Sequence, residues 1–400
     1  MRLSSVQIFQ QGISAILDQQ AKLNQTQQQL ATGKRILNPS DDPVAAVQIL
    51  DITEDLALVD QYKRNGSLAE GQLALEESVL ASVGNVLQRV RELVVQANNA
   101  TQGPETRNTI ATEIETRLDE LQSLANTRDA SGEYIFAGYQ SDTEPFARQG
   151  NNFSYNGDDG QRFLQLGSSS QVSVRDSGFD VFMSVPSGNG TFDVEPNTAN
   201  TGAAVVGATS INGSFVPDNY VVSFTQATPS DPITYQVMDS SPAVIAGGTY
   251  VPGDTIIFPG VSLQFDGVPA DGDSFDVTPS IKQDVFTSLQ LIIDDLKNSG
   301  SSSAATAVVN NGMAQGLNNL DQALGHVLGI RAEVGVRMNH VENQLNINES
   351  FTLQLQDTLS NIQDLDFAEA ISRLNLQLTA LQAAQQTYVK VQGLSLFNYL

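Results

Sequence analysis

The sequence predicts a mainly α-helical protein with an inserted all-β domain. Both ends of the 400-residue chain carry apolar residues at the spacing of amphipathic helices that pair with other helices. The block 176–281 instead has short β-branched and aromatic runs between clusters of Pro, Gly, Asp and Ser, which is typical of a small sandwich or barrel. That block contains 12 acidic residues and no Lys or Arg. Such a shift in composition marks domain boundaries on both sides of it.

Residues 1–42 are predicted to form an N-terminal coiled-coil helix. Their apolar positions recur every seven residues, a repeat that suits a helix lying along another helix. The other faces carry Gln, Asn, Thr and Ser, so solvent or further chains can cover them. The repeat consists of Phe9, Ile16, Leu23, Leu30 and Leu37, and Ile13 and Leu17 widen the stripe.

The joint after this helix reads GKRILNPSDDPVAA, residues 33–46. Asp42 is predicted to cap the next helix by accepting a backbone N–H, with Pro43 at the first helical position. The alternative is a metal or acid/base pair formed by Asp41 and Asp42. Two neighbouring carboxylates do not converge on one point unless other ligands join them, so the cap is the favoured interpretation.

Residues 43–175 are predicted to form a helical bundle with a β-hairpin. Helical patterns cover 44–99 and 105–130. The stretch EYIFAGYQ (133–140) is aromatic and β-branched, which favours a strand. A hairpin is expected at 153–166, because its Asn-Gly pair is a strong turn signal.

The remaining blocks are the inserted outer β domain, 176–281, the return helices of the bundle, 282–355, and a C-terminal coiled-coil helix, 356–400. Strand runs in the outer domain include YVVSFTQ (220–226) and VSLQFDG (261–267). The C-terminal helix carries apolar residues at spacings of four, three and seven, which predict a coiled-coil seam. These residues are Phe367, Ile371, Leu374, Leu378, Leu381 and Tyr388.

Composition argues against most chemical functions. The net charge of −25 makes nucleic acid and anionic membranes unlikely partners. The chain has no Cys and only two His, and it shows no nucleophile–base order, P-loop or dinucleotide motif. We therefore predict no catalytic site, no cofactor and no metal. Weak cation sites at Asp158/Asp159 or Asp271/Asp273 are an alternative, although turn chemistry explains these pairs equally well.

The terminal apolar stripes allow two interpretations. One is an ordinary coiled coil within the chain. The other is that the stripes complete their burial only against further copies of the protein, which the length of the stripes and the uncharged Gln/Asn-rich flanks favour. The sequence has no run of about 18 apolar residues, so no membrane span is predicted. Residues 1–30 lack the apolar core of a secretory signal.

Several separated segments resemble the flagellin superfamily of bacterial flagellar axial proteins. LNQTQQQLATGKRILNPSDDPVAA (23–46) and LDFAEAISRLNLQLTALQAAQQTYVKVQGLSLFNYL (365–400) carry the general resemblance. GEYIFAGYQSDTEPF (132–146), YNGDDGQRFLQLG (155–167) and the ending SLFNYL resemble the hook-associated protein 3 subgroup in particular. The resemblance covers about 1–175 and 282–400 and leaves out the β domain.

The resemblance implies a non-catalytic adaptor between flagellar hook and filament, built by self-assembly of paired terminal helices. It implies an extracellular place in the flagellum, reached through the flagellar type III apparatus without a cleaved signal peptide. The implied partners are copies of the protein itself, the first hook-associated protein, flagellin, and a cytoplasmic export chaperone for the C-terminal helix. A filament flagellin is the alternative within the superfamily. An adhesin or enzyme carried by the β domain, or a phage tail fibre, is the alternative outside it.

Overall fold

The computed structural model describes residues 5–99 and 101–393, apart from the side chains of residues 5, 6, 8, 9 and 391–393. The chain divides after residues 65 and 343 into two compact units. The two outer segments supply the first unit, and residues 66–343 form the second.

The described helices follow the predicted order, but the fifth runs to Gln363, past the predicted boundary at residue 355, so the last helix begins at Phe367 and not at 356. Pro104 stands at the start of the third, as expected for a residue that lacks a backbone N–H, and Asp284 caps the fourth by accepting a 2.6 Å hydrogen bond from Thr287 N. The helices are α1 (Ser5–Thr32), α2 (Pro43–Ala97), α3 (Pro104–Ala125), α4 (Val285–Lys297), α5 (Ser303–Gln363) and α6 (Phe367–Gly393).

The first helix ends earlier than its apolar repeat predicts. The repeat extends to Leu37, but α1 ends at Thr32. Gly33 follows with φ +73°, a left-handed conformation that favours glycine, and its N–H donates to Gln29 O at 2.8 Å. Gly33 therefore ends the helix, although the seven-residue apolar repeat continues beyond it to Leu37.

The strands lie between α3 and α4, together with a five-residue π-helix, Phe179–Met183. All of their pairings are antiparallel. The strands are β1 (Phe146–Gln149), β2 (Asn152–Tyr155), β3 (Phe163–Gln165), β4 (Gln171–Ser173), β5 (Val185–Pro186), β6 (Phe192–Pro196), β7 (Val205–Asn212), β8 (Tyr220–Thr225), β9 (Thr234–Met238), β10 (Val244–Thr249), β11 (Thr255–Phe258), β12 (Gly260–Asp266), β13 (Ser274–Pro279) and β14 (Lys282–Gln283).

The outer domain consists of two sheets around one hydrophobic core. Five strands pair in the order β10-β9-β8-β13-β6, and three pair in the order β11-β12-β7. Side chains from both sheets, including Phe224, Phe265 and Phe275, meet in the core. The alternating runs of the sequence predict this arrangement correctly. β5 pairs with β14, so the chain enters and leaves the domain through a two-stranded link.

The predicted strand EYIFAGYQ is wrong. Residues 134–137 are all buried, whereas a strand with one solvated face would alternate. Gly138 has φ +67°, and Phe136 O accepts hydrogen bonds from Gly178 N (2.8 Å) and Tyr155 OH (3.0 Å) instead of from a neighbouring strand. The Phe136 ring packs edge-on against Phe182, with centroids 5.3 Å apart. This segment is a buried irregular loop.

The predicted hairpin at 153–166 is also wrong. β2 pairs with the preceding β1, and β3 pairs with the following β4. The two-residue turn lies at Gly150-Asn151, where Gly150 has φ +67°. The Asn156-Gly157 pair does not form a turn between two strands. Asn156 N donates to Pro145 O at 2.8 Å, which continues the pairing of β1 and β2 by one residue on each strand.

A buried ionic cluster ties α2 and α5 to the segment after β4. Glu76 is 1% exposed, and its Oε1 accepts a 2.9 Å hydrogen bond from Asp176 N. The Asp176 carboxylate pairs with the Arg337 guanidinium. Burial raises the pKa of Glu76 to about 8, and the nearby Asp176 charge adds to the shift.

Glu76→Gln should therefore change the pH dependence of stability. Because the pKa of Glu76 rises from 4.5 to about 8 on folding, the folded state holds its proton longer, and the free energy of unfolding falls as pH rises between those values. Without this group the slope should be shallower there by up to about 1.4 kcal/mol per pH unit. Chemical denaturation across this pH range measures the slope. The exposed Glu70→Gln on the same helix is the control, and parallel curves for wild type and Glu76→Gln would contradict the assignment.

Candidate assembly interface

The two terminal helices pack against each other in antiparallel fashion within the first unit. A Cβ added at Gly12 of α1 would lie 3.2 Å from the Tyr388 ring of α6. Gln19 Nε2 donates to Gln377 O at 3.4 Å. The absence of a side chain at Gly12 therefore allows close approach at one end of the pair.

The face of α6 that is withdrawn from solvent differs from the predicted seam. Most of its members follow the four- and three-residue spacing of a coiled coil, but four of the seven are small or polar. They are Ala370, Arg373, Leu374, Gln377, Leu381, Ala384 and Tyr388. Leu374, Leu381 and Tyr388 of the predicted seam thus fall on this face, whereas Ile371 and Leu378 do not. Phe367 shares their seven-residue spacing, but as the first residue of α6 it is 52% exposed.

On α1, too, only part of the predicted apolar stripe is withdrawn from solvent. Leu23 is buried, and Ile16 and Leu30 are half-buried. Thr26 and Gln29 are buried between them. Ile13 is 45% exposed and Leu17 59% exposed. Phe9 lies outside the residues whose side chains the structure describes.

Large apolar side chains consequently remain at the surface of the first unit. We call Ile13, Leu17, Phe367, Ile371 and Leu378 the exposed terminal set. Phe367 and Ile371 are each about half exposed, at 52% and 49%. Sequence reasoning missed further exposed apolar residues, since it followed only the strongest seven-residue repeats. They are Val44, Val47 and Leu50 at the start of α2, and Leu376 and Val389 on α6.

The joint between α1 and α2 is bonded to the joint between α5 and α6. Lys34 and Asp364 form an isolated antiparallel bridge. Arg35 N donates to Gln363 O at 2.7 Å, and Leu365 N donates to Gly33 O at 2.9 Å. These bonds hold the two turns side by side, so they fix where α1 and α6 begin to pair.

Both carboxylates of the Asp pair accept backbone hydrogen bonds. Asp41 Oδ2 accepts from Leu37 N (3.1 Å) and Asn38 N (3.0 Å), which closes the turn. Asp42 Oδ1 accepts from Ala45 N at 3.1 Å, three residues into the next helix. This is N-cap geometry, and Pro43 is the first residue of α2.

Asp42→Ala should lower the free energy of unfolding of the first unit by about 0.5–2 kcal/mol, because the N–H of Ala45 loses its acceptor. Hydrogen exchange at Ala45 and in the first turn of α2 measures the change. Asp42→Asn, which retains a side-chain oxygen, should restore most of the protection. Equal exchange in Asp42→Ala and wild type would contradict the cap.

The other acidic pairs have the bonding pattern of turns. Asp158 Oδ1 accepts from Tyr139 N and Gly160 N. Asp273 accepts from Thr201 N and from Ala270 N, each at 2.8 Å. Asp271 Oδ1 accepts from Gln226 N at 2.8 Å, and Asp159 is exposed. In the described part of the chain, no group of three or more His, Cys, Asp or Glu side chains could hold a metal ion.

Known proteins share both the terminal helical regions and the overall fold of this chain. The model of the bacterial flagellin N-terminal helical region matches residues 5–141, and that of the C-terminal helical region matches 317–400. The crystal structure of flagellar hook-associated protein 3 from Legionella pneumophila is 32% identical, with a TM-score of 0.75 over 78% of this chain and 98% of that one. The chain belongs to the flagellar hook-associated protein 3 family. The family that the NPSDDP and IFAGY segments indicate is therefore confirmed.

Two further members of the family are similar to all or most of this chain. Flagellar hook-associated protein 3 of Escherichia coli strain K12 is 28% identical over 406 residues, which span all of this chain and 99% of the relative. The flagellar junction protein FlgL of Legionella pneumophila is 32% identical, with a TM-score of 0.72 over 80% of this chain and all of that one. The predicted fold class, terminal helices around an inserted antiparallel β domain, is confirmed. Across the described residues, no helix is long and apolar enough to cross a membrane.

Proposed function

We propose that this protein is a structural part of the bacterial flagellum that joins the hook to the filament. Membership of the hook-associated protein 3 family supports the location. One observation carries the proposed means of assembly. The exposed terminal set stays at the surface although α1 and α6 already pack against each other.

The proposed mechanism is geometric and non-catalytic. Neighbouring copies bury the exposed terminal set between their paired helices. Because these side chains are 37–59% exposed in the subunit, burying the rest of each contributes about half of the 1.5–3 kcal/mol for full burial. Five such side chains per subunit, repeated around a closed assembly, supply a large driving force. The joint around Asp42 sets the direction in which α1 leaves α2, so it controls how these side chains are presented.

The proposed neighbours follow from the place of the family. They are copies of the protein, the first hook-associated protein on the hook side and flagellin on the filament side. The chain is proposed to leave the cell unfolded through the flagellar type III apparatus, which requires no cleaved signal peptide. A cytoplasmic chaperone is proposed to cover the apolar C-terminal helix before export, since that helix would otherwise expose Leu376 and Val389.

Deletion of the gene tests the adaptor role. A strain without a junction protein should keep its hooks, lack filaments and release flagellin into the medium, because export continues while the acceptor for flagellin is missing. The wild-type gene on a plasmid should restore filaments.

The alternative is a filament flagellin, which the matches to both flagellin helical regions support. Loss of the only flagellin should also leave hooks without filaments, but it should leave no flagellin in the medium. Immunoblotting of the culture medium for flagellin therefore separates the two functions. An empty medium together with intact junction proteins on the hook would overturn the adaptor proposal.

A further inference from the structure

A row of amide side chains on α5 contacts the outer β domain. Asn311, Gln315, Asn319 and Gln322 lie four, four and three residues apart, so they share one face of the helix. We call these four residues the amide row. Asn311 is 5% exposed and Asn319 is 4% exposed. Asn is mostly exposed in folded proteins, and a buried Asn needs hydrogen-bond partners. Each of the two has such a partner in the β domain.

Asn311 bonds to the edge strand β7 as a neighbouring strand would. Its Oδ1 accepts from Val206 N at 2.7 Å, and its Nδ2 donates to Ala204 O at 3.0 Å. One amide thus satisfies both a donor and an acceptor at the edge of the three-stranded sheet. Both bonds require one orientation of the strand relative to the helix, because the amide is planar.

The next two members of the amide row reach the other sheet and its approach. Gln315 Nε2 donates to Asp193 Oδ2 (3.1 Å) and Glu195 Oε1 (3.3 Å), both on β6 at the edge of the five-stranded sheet. Asn319 Oδ1 accepts from Gly188 N at 2.7 Å, in the turn that leads into β6. α5 therefore holds an edge of each of the two sheets.

The last member is set by close packing. A Cβ added at Gly190 would lie 2.8 Å from Gln322 Oε1, so the glycine backbone is pressed against this amide. From Asn311 to Gln322 the row extends about 16 Å along the helix axis, at roughly 1.5 Å per residue. Several attachments over such a length resist rotation, whereas the two-stranded β5–β14 link alone would act as a pivot.

We propose that the amide row fixes the orientation of the outer β domain relative to α5 and the helices packed with it. Asn311, Gln315, Asn319 and Gln322 are positioning residues for the domain. This role goes beyond assembly, because it operates in a single subunit. In an assembled structure, a fixed orientation would turn the same face of every β domain outward. The domain, residues 176–281, carries acidic residues and no Lys or Arg.

The absence of cysteine from the chain makes a distance measurement straightforward. Cysteines introduced at two exposed positions, Thr112→Cys on α3 and Ala227→Cys after β8, would carry spin labels on the full-length protein. Pulsed electron resonance should give one narrow distance distribution for the wild-type background. Asn311→Ala together with Asn319→Ala should broaden and shift it, while circular dichroism shows that helices and sheets remain.

Asn339→Ala together with Asn343→Ala is the matched control, since both side chains are exposed on the same helix and the change in helix propensity is equal. Its distance distribution should stay narrow. An unchanged distribution in the folded Asn311/Asn319 variant would overturn the proposal. If that variant does not fold, Gln315→Ala and Asn319→Ser, measured singly, should each broaden the distribution, and an unchanged distribution in both would equally overturn it. None of these outcomes depends on flagellar assembly.

Discussion

Replacing Ile13, Leu17, Ile371 and Leu378 with serine should abolish motility while the subunit stays folded. The four side chains are 37–59% exposed, so each contributes only part of its surface to the packing of the monomer. Exposed substitutions usually change the free energy of unfolding by no more than about 0.5 kcal/mol each. Assembly, in contrast, loses roughly half of the 1.5–3 kcal/mol of full burial for every side chain, four times per subunit and at every contact between subunits. Thermal unfolding of the purified variant and swimming in soft agar measure the two effects.

Two controls separate assembly from other defects. Leu291→Ser removes a comparably exposed leucine, at 48%, from α4 in the second unit and should leave motility intact. Immunoblotting of the medium should find the four-residue variant outside the cell, which excludes a failure of export. Normal motility of an exported variant would show that the exposed terminal set does not form the interface.

Arg337→Met should destabilise the second unit by about 3–5 kcal/mol. Arg337 neutralises Asp176, which is nearly buried, and its charge also lies close to Glu76. Without the guanidinium, a buried carboxylate keeps its desolvation cost and loses its ion pair, which is the case in which breaking a buried pair is most costly. Chemical denaturation gives the free energy of unfolding.

The exposed pair of Arg89 with Glu113 provides the comparison. Its two groups lie 2.8 Å apart but face solvent, so Arg89→Met should change stability little. Asp176→Asn in the Arg337→Met background should recover part of the loss, since the unpaired charge is then removed. An Arg337→Met variant as stable as Arg89→Met would show that the cluster does not hold α2, α5 and the post-β4 segment together.

The sequence predicted the helices and the outer strands well, because their periodicities are long and are broken by Gly and Pro. It could not predict which face of α6 would pack against α1. Phe367, Leu374, Leu381 and Tyr388 recur every seven residues, and so do Ile371 and Leu378. Close helix packing selected the face with Ala370 and Ala384, and periodicity alone does not distinguish two faces with the same spacing.

Local signals also failed where distant residues decided the structure. Asn-Gly at 156–157 is a strong turn signal, yet the strands on either side pair elsewhere. The buried bonds from Asn311 to Ala204 and Val206 join residues more than 100 positions apart. An Asn in a helix is an unremarkable residue in the sequence, and only its position against the edge of β7 gives it a role.

Electron microscopy of hooks from the deletion strain carrying the four-residue variant tests the central claim most directly. With the wild-type gene, filaments should extend from the hooks. With the Ile13, Leu17, Ile371 and Leu378 serine variant, the protein should be exported and the hooks should remain bare. Filaments of normal number and length on those hooks would contradict the claim that the exposed terminal set builds the junction.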